Sequence, residues 1–375
     1  MDFRNRHIDI VGKQYLWFGI SGFVILVGLV SWLAFGLNLG VDFKGGGQLK
    51  YLIPAAQRPH NGNDIQVLEE ARKALAAEGL ASVRLQITGG DTLLVSTDAS
   101  TTDALNSQEK LINIALAPKF AEQGADGKTG HLKLLGRDMV GPVIGKELRA
   151  NAIKGVLLGV LLIALWVYLR YNFAGNGARY AAAGIIALIH DVFVLIGLMA
   201  LIGHFFPSVE IDSSFIAALL TVVGYSINDS VVIFDRIREN LRERRHDEFK
   251  KIVNDSLLET MSRSVNTGLT VVIMLIVMFF FGGDSIHNFI LAMLIGVTTG
   301  MYSSIFNAST LLTAWHDWDA YKLKRASAGR SMAREIPATS NMESGLPSNS
   351  DSSKPTSKDR SSTKSPNKAR GRKRF

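Results

Sequence analysis

Two sets of ionisable residues lie inside stretches of sequence that are otherwise strongly apolar. His190-Asp191 sits near the middle of the run 180–202, and Asn228-Asp229 lies within 215–234. A charge within a membrane span costs a few kcal/mol even on lenient scales, so each such residue needs a reason to be there. Asp229 is about six residues, hence about 9 Å, inside the end of its run. Ser226 at i−3 and Tyr225 at i−4 share its helical face and are placed to hydrogen-bond its carboxyl in either protonation state. The next apolar run opens with a cation: Arg263 precedes Asn266, Thr267 and Thr270, a polar stripe at i+3, i+4 and i+7. Were the two helices antiparallel neighbours, the arginine side chain would cover much of the vertical offset and meet Asp229. A buried acid that changes charge as its arginine moves would couple ion entry to a helix shift. His190 and Asp191 would form a second relay station. The plainer alternative is a set of interhelical hydrogen bonds that fix packing, with Asp235, Arg236, Arg238 and Glu239 marking the water boundary.

The elements that must position these residues are membrane helices. A bilayer core of about 30 Å needs about 20 mostly apolar residues, and six runs meet that length. They are 15–35, 152–169, 180–202, 215–234, 265–281 and 289–315. The first is longer than a signal-peptide core and is followed by no evident cleavage site, so it reads as a retained anchor. Short loops set orientation, because positive residues stay cytosolic. The loops 204–212 and 282–288 hold no Lys or Arg, whereas 235–264 holds eight, 170–179 two and the N-terminus three. The alternation places both termini in the cytosol and the long loop 36–151 outside it. In the sixth run, Gly296, Gly300 and Ser304 have the small-xxx-small spacing of helix packing.

Within the outer loop the pattern is β-α-β-β-α-β. Residues 48–53 alternate as a strand, and 64–78 have helical spacing through Ile65, Leu68, Ala71 and Leu75. The strand-like runs 82–88 and 92–97 are joined by Gly89, Gly90 and Asp91, a hairpin signal; a helix over 103–123 and a strand over 131–135 follow. The predicted fold class is thus an α-helical polytopic membrane protein of six transmembrane helices with one α+β, ferredoxin-like extracytoplasmic domain. Its division is a cytosolic N-terminus 1–14, helix 15–35, outer domain 36–151, helices over 152–315 and a basic, disordered cytosolic tail 316–375. The outer domain shows no paired catalytic carboxylates or metal-ligand cluster, which assigns it contact rather than chemistry. The glycine segments around Gly40, Gly45, Gly46 and Gly47 and around Gly141 and Gly145 lack the Gly-Lys-Ser/Thr of a phosphate-binding loop. They read as tight turns and close backbone approach.

Composition agrees with this division. The chain is 47% apolar with 41 Lys and Arg against 33 Asp and Glu. The last 54 residues carry 14 basic and 4 acidic residues, a net of +10 against +8 for the whole chain, so the body carries about −2. Contact with nucleic acid is thereby restricted to the tail, which could equally touch anionic lipid. The absence of cysteine excludes disulfides, thiol catalysis and cysteine-rich metal sites. An enzyme built on His190 and Asp191 would lack a nucleophile or further ligands at helical spacing, so the expectation is a protein that is not an enzyme and binds no cofactor.

At the level of motifs the chain resembles the SecF family of the bacterial Sec protein-export apparatus, within the RND superfamily. The resemblance is carried by Gly40-Val41-Asp42-Phe43 with Gly45-Gly46, by Val140-Gly141-Pro142 with Gly145-Lys146-Glu147-Leu148, and by Ala187-Leu188-Ile189-His190-Asp191-Val192. It continues through the ordered string Val223-Gly224-Tyr225-Ser226-Ile227-Asn228-Asp229-Ser230-Val231-Val232-Ile233-Phe234-Asp235-Arg236, then Ser262-Arg263-Ser264-Val265-Asn266-Thr267 and Gly300-Met301-Tyr302-Ser303-Ser304, covering about residues 15–315. The resemblance implies a bacterial inner-membrane subunit. It would be paired with SecD, associated with the SecYEG channel and YajC, and in contact with exported polypeptides and membrane lipids. It implies that proton flow promotes movement and release of the exported chain, with Asp229 and Arg263 as the proton-path pair. An RND-like proton-coupled exporter of a lipid or small molecule is the alternative, although such pumps usually fuse two six-span halves with larger outer domains. The chain departs from the family pattern at Lys44, where a small hydroxyl residue is usual, in the third glycine of its Gly45-Gly46-Gly47 run, and in its long tail.

Overall fold

The computed structural model describes residues 8–55, 64–80, 83–88, 91–121, 132–172, 177–283 and 286–334 of the chain. Six helical segments among the described residues are long and apolar enough to cross a membrane. The first, α1 (Gln14–Phe35), leads through the short helix α2 (Val41–Lys44) into a four-stranded sheet domain. That domain contains β1 (Gly46–Leu52), α3 (Asp64–Ala77), β2 (Arg84–Thr88), β3 (Thr92–Thr97), α4 (Thr102–Phe120) and β4 (Leu134–Val140). The remaining spans are α5 (Pro142–Asn172), α6 (Gly177–Phe205), α7 (Ser213–Glu243), α8 (Phe249–Phe281) and α9 (His287–Ser303). The last of these continues through a π-helical turn at Ser304–Ala308 into α10 (Ser309–Arg334). By contact density the chain separates at Tyr321, with α10 running out into the second unit, Lys322–Phe375.

The sheet has the order β2-β3-β1-β4 with every neighbouring pair antiparallel. Leu49 and Tyr51 of β1 and Leu93 and Val95 of β3 alternate onto one face, where Ala71 and Leu75 of α3 and Leu105, Ile112 and Leu116 of α4 bury them. Thr101 caps α4 by accepting the Ala104 amide, so the helix begins where a hydroxyl supplies its first acceptor. The last strand lies further along the chain than expected. It occupies Leu134–Val140 rather than 131–135, because its register is set by pairing with β1 from Gly46↔Val140 onward. As an edge strand with mostly exposed side chains it carries little apolar signal. The expected hairpin glycines Gly89 and Gly90, together with Ser82, His131, Gln123, residues 1–7 and the tail beyond Arg334, lie outside the described residues.

The two glycine segments meet. Gly45 and Gly46 have φ of 77° and 135°, which side-chain-bearing residues rarely adopt, and a Cβ on Gly145 would lie 3.1 Å from the Gly45 amide nitrogen. Close backbone approach is also how α1 crosses α6, where a Cβ on Gly28 would fall 2.9 Å from the Gly197 Cα.

Several helices outrun the apolar runs that announce them. α8 begins at Phe249, well ahead of 265, because Val253, Leu257, Leu258 and Met261 form an apolar stripe in one core with Ile237 and Phe234 of α7, and Ile252 is buried beside them in the helix. The charged residues between them dilute the run without breaking the helix. α5 likewise starts at Pro142, so a single helix crosses the expected domain boundary at 151. Proline suits that first position, where no amide is needed.

Candidate functional site

The site is built where α6, α7, α8 and the π turn converge. α7 packs along α9, with Gly300 directly against Ser226 and Gly296 against Val222; a Cβ on Gly300 would lie 3.1 Å from the Ser226 Cβ. The small-xxx-small stripe is therefore the groove that seats α7, a placement the sequence does not reveal.

Asp229 is partly buried on α7. Its Oδ1 accepts a hydrogen bond from the Ser264 hydroxyl of α8 at 2.5 Å, and its Oδ2 accepts one from the Ser304 hydroxyl of the π turn. Both oxygens are thus held by other helices, and the expected intrahelical partners are not used. Ser226 points instead to Asp191, and Tyr225 packs among Val271, Val272 and Phe279. The expected contact between Asp229 and Arg263 is not made either. Arg263 is exposed and forms no ion pair with Asp229; it acts on that carboxyl only through space. Helical geometry gives the reason: successive residues turn by about 100°, so the face of α8 that presents Ser264 to α7 turns Arg263 aside. Asn228, Asn266, Thr267 and Thr270 are exposed as well, so the polar stripe of α8 does not line the α7 contact.

His190 and Asp191 are brought fully together. Asp191 is 1% exposed and is the more enclosed of the two acids. Its Oδ1 lies 2.9 Å from His190 Nδ1, and its Oδ2 accepts from Ser226 at 2.5 Å and from Ser303 at 2.7 Å. Asn307 Nδ2 lies 3.2 Å from His190 Nε2. An amide nitrogen only donates, so His190 Nε2 accepts and the ring proton sits on Nδ1, directed at Asp191. Asn307 in turn exchanges hydrogen bonds with Ser21 of α1, which reaches Tyr302. A polar chain therefore runs from α1 through the π turn and α6 to α7, with Ser21, Asn307, His190, Asp191 and Ser226 all buried.

The two acids share one structural feature. Ser303 and Ser304 are adjacent, yet one binds Asp191 and the other Asp229. A π turn carries an extra residue per turn relative to the α-helix around it, and such turns gather at functional sites. Sequence reasoning missed Ser264, Ser303, Asn307 and Ser21 as site residues. The only available signal was a polar residue in each apolar run, which hydroxyls give weakly.

At the water-facing ends of the helices, Arg170 pairs with Asp235 at 2.6 Å, Arg236 pairs with Glu239 and Glu259, and Asn240 donates to Ser256 and Glu259. These contacts tie α5 and α8 to α7 where it leaves the apolar zone.

Residues 121–318 match the model for the protein export membrane protein SecD/SecF C-terminal region, and residues 30–47 match the SecD/SecF GG motif. The protein translocase subunit SecF of Thermobaculum terrenum is 37% identical over 328 residues, covering 87% of this chain and 99% of that protein. The chain belongs to the SecF family. The SecF subunit of Anaerolinea thermophila is 34% identical over 86% of this chain and 100% of its own length. Among solved structures, SecDF from Thermus thermophilus, described as a translocon-associated membrane protein, superimposes with a TM-score of 0.69 at 31% identity. That match covers 84% of this chain, which spans 40% of the solved SecDF chain. SecDF in its super-membrane-facing form gives 0.59 at 30% identity. A multi-pass SecF-family membrane protein whose relatives are protein translocase subunits is therefore the frame for the geometry above.

Proposed function

We propose that this SecF-family chain is an accessory subunit of the Sec translocase that works in complex with SecD. It uses proton flow to promote movement and release of exported polypeptides on the periplasmic side. The reading places it in the bacterial inner membrane with both termini cytosolic, as the distribution of Lys and Arg among the short loops favours. SecYEG and YajC are its further partners. The sheet domain is taken as ferredoxin-like and periplasmic; its order β2-β3-β1-β4, with α3 and α4 on one face, supports that reading.

One observation carries the proposal: Asp229 is a membrane acid held between three helices by hydroxyls alone. A hydroxyl donates to a carboxylate and accepts from a carboxylic acid, so the site suits both states of a proton carrier. Asp229 is the proton-binding group in this reading, Arg263 the nearby charge that biases it, and His190 and Asp191 the enclosed partner station. The test is Asp229→Asn in cells, with recovery of SecD on the tagged chain as the assembly control. The expected outcome is normal copurification with loss of export stimulation. Normal export by that variant sinks the coupling role, and failure to recover SecD with the wild-type chain sinks the complex.

A further inference from the structure

The connection between α6 and α7 is bound to the sheet domain at Pro207 and Glu210, and to the segment leaving α1 at Pro207, Val209 and Ile211. Strand β2 presents Arg84 and Gln86, two residues apart and so on one face, to this connection. Arg84 Nη1 donates to Glu210 Oε1 at 2.6 Å and to Asn38 Oδ1 at 3.1 Å. Gln86 Nε2 donates to the Pro207 carbonyl at 2.9 Å and to Glu210 Oε1 at 3.2 Å. Asn38, in the segment leaving α1, donates to the carbonyls of Pro207 and Val209 at 3.0 and 2.9 Å. Backbone bonds join Gly40 to Ile211 and Ile211 to Asn38. Asp42 then accepts the Ser213 amide at 3.0 Å and the Ser213 hydroxyl, and Asp212 accepts the Phe215 amide at 2.8 Å to cap α7.

Glu210 is 7% exposed. Its partner is less enclosed, the Arg84 side chain being 34% exposed; such a pair contributes little net stability, because desolvation of the carboxylate offsets attraction, yet breaking it leaves an uncompensated charge on Glu210. Such a pair is better suited to fixing register than to adding stability. What it fixes here is the start of α7, the helix that carries Asp229 sixteen residues, or about 24 Å, further in.

We infer that Arg84, Gln86 and Glu210 form a rigid coupling joint, through which displacement of α7 is passed to the sheet domain. This rests on the proton-linked function proposed for Asp229. The joint stays closed through the working cycle, so motion of α7 and motion of the sheet are one motion. A broken joint lets protons move without moving the exported chain.

The test uses inner-membrane vesicles carrying the full chain with its partner, reading proton entry by a pH-sensitive dye and export by protection of a reporter polypeptide. Arg84→Glu, which sets two carboxylates face to face, is expected to lower export stimulation at least tenfold while proton entry persists. The swapped pair Arg84→Glu with Glu210→Arg is expected to restore it. Normal export by Arg84→Glu, or equal loss of export and proton entry, overturns the joint, since the latter is what a merely structural residue would give. Because the chain contains no cysteine, Arg84→Cys with Glu210→Cys can be bridged cleanly by a short reducible dithiol reagent. The bridged protein is expected to keep export activity, and formation of the bridge confirms that the variant folds. Loss of export on bridging, regained on reduction, would show that the contact must open and would refute the inference. Asp229→Asn in the same vesicles separates the two claims: if it exports normally the proposed function fails, and if it fails to export while Arg84→Glu is unaffected only the joint is wrong.

Discussion

Asp191 offers the sharpest quantitative test of the buried polar chain. Three donors converge on its carboxyl: His190 Nδ1, Ser226 Oγ and Ser303 Oγ. Hydrogen bonds to a charged acceptor contribute roughly 1.5–3 kcal/mol each and neutral ones about 0.5–1.5, so converting three of the first kind into the second costs roughly 3 kcal/mol. Asp191→Asn makes that conversion with little change of shape. Its amide must also turn one N–H toward a former donor. The least costly accommodation is a relayed flip, in which His190 accepts at Nδ1 and donates from Nε2 to an inverted Asn307. Asp191→Ala allows no such flip, leaves the donors without an acceptor and opens a cavity, so it costs more than Asp191→Asn. Ser303→Ala removes one donor and costs about 1–3 kcal/mol. The assay is denaturant titration of the full chain in detergent, read by helical circular dichroism. The order predicted is wild type, then Ser303→Ala, Asp191→Asn and Asp191→Ala in decreasing stability. An Asp191→Asn protein as stable as wild type would show that neither the charge nor its convergent donors matter, and would refute this account of the polar chain.

The remaining predictions concern the second acid and the outer joint. Ser264→Ala and Ser304→Ala each remove one bond to Asp229, and at about 1.4 kcal/mol per factor of ten each is expected to lower export stimulation roughly tenfold in a reporter-export assay. Arg263 makes no paired contact with Asp229, so charge rather than fork geometry is what it supplies: Arg263→Lys is expected to export normally and Arg263→Met to fail, in the same assay. Burial raises the Glu210 pKa above the usual carboxylate range, more than Arg84, Gln86 and Lys44 lower it. The folded chain therefore holds that proton more tightly than the unfolded one. Its contribution is fully present below the ordinary carboxylate pKa and is lost as pH rises through the raised folded value. Glu210→Gln is expected to flatten that part of the stability-versus-pH curve, measured by thermal melts between mildly acidic and neutral pH.

Much of the architecture is legible in the sequence because it rests on length and period. Six apolar runs near 20 residues long locate the helices, and alternation such as Leu49, Tyr51, Ile53 locates a strand with one buried face. What the sequence hides is of two kinds. The first is extension by amphipathic stripes: Ile252, Val253, Leu257 and Met261 continue α8 through charged surroundings, and hydropathy averages them away. The second is azimuth. Arg263 and Ser264 are neighbours in sequence, and only helix packing decides that Ser264 faces Asp229. The i−3 spacing pairs Ser226 with Asp229, yet its partner is on another helix, because the α7–α9 contact through Gly300 turns it toward Asp191. The π turn has no signature in the sequence; it begins at Ser304, which binds Asp229, directly after Ser303, which binds Asp191.

The two acids differ in a way that divides labour between them under the proposed function. Asp191 is closed to solvent and saturated by donors from three helical segments, so any change in its charge disturbs a chain of bonds reaching α1. Asp229 is less enclosed, and its two partners are rotatable hydroxyls that can donate or accept. An ion pair with Arg263 would have favoured one state and held it. Its absence leaves Asp229 free to change, while the Ser303–Asp191 bond keeps the adjacent residue of the π turn in place. Releasing the Ser304–Asp229 bond then loosens α7 from the π turn while Ser303 stays bound to Asp191 of α6. The helix that moves is in that case the one whose far end is fastened to the sheet domain by Asp42, Glu210 and Arg84.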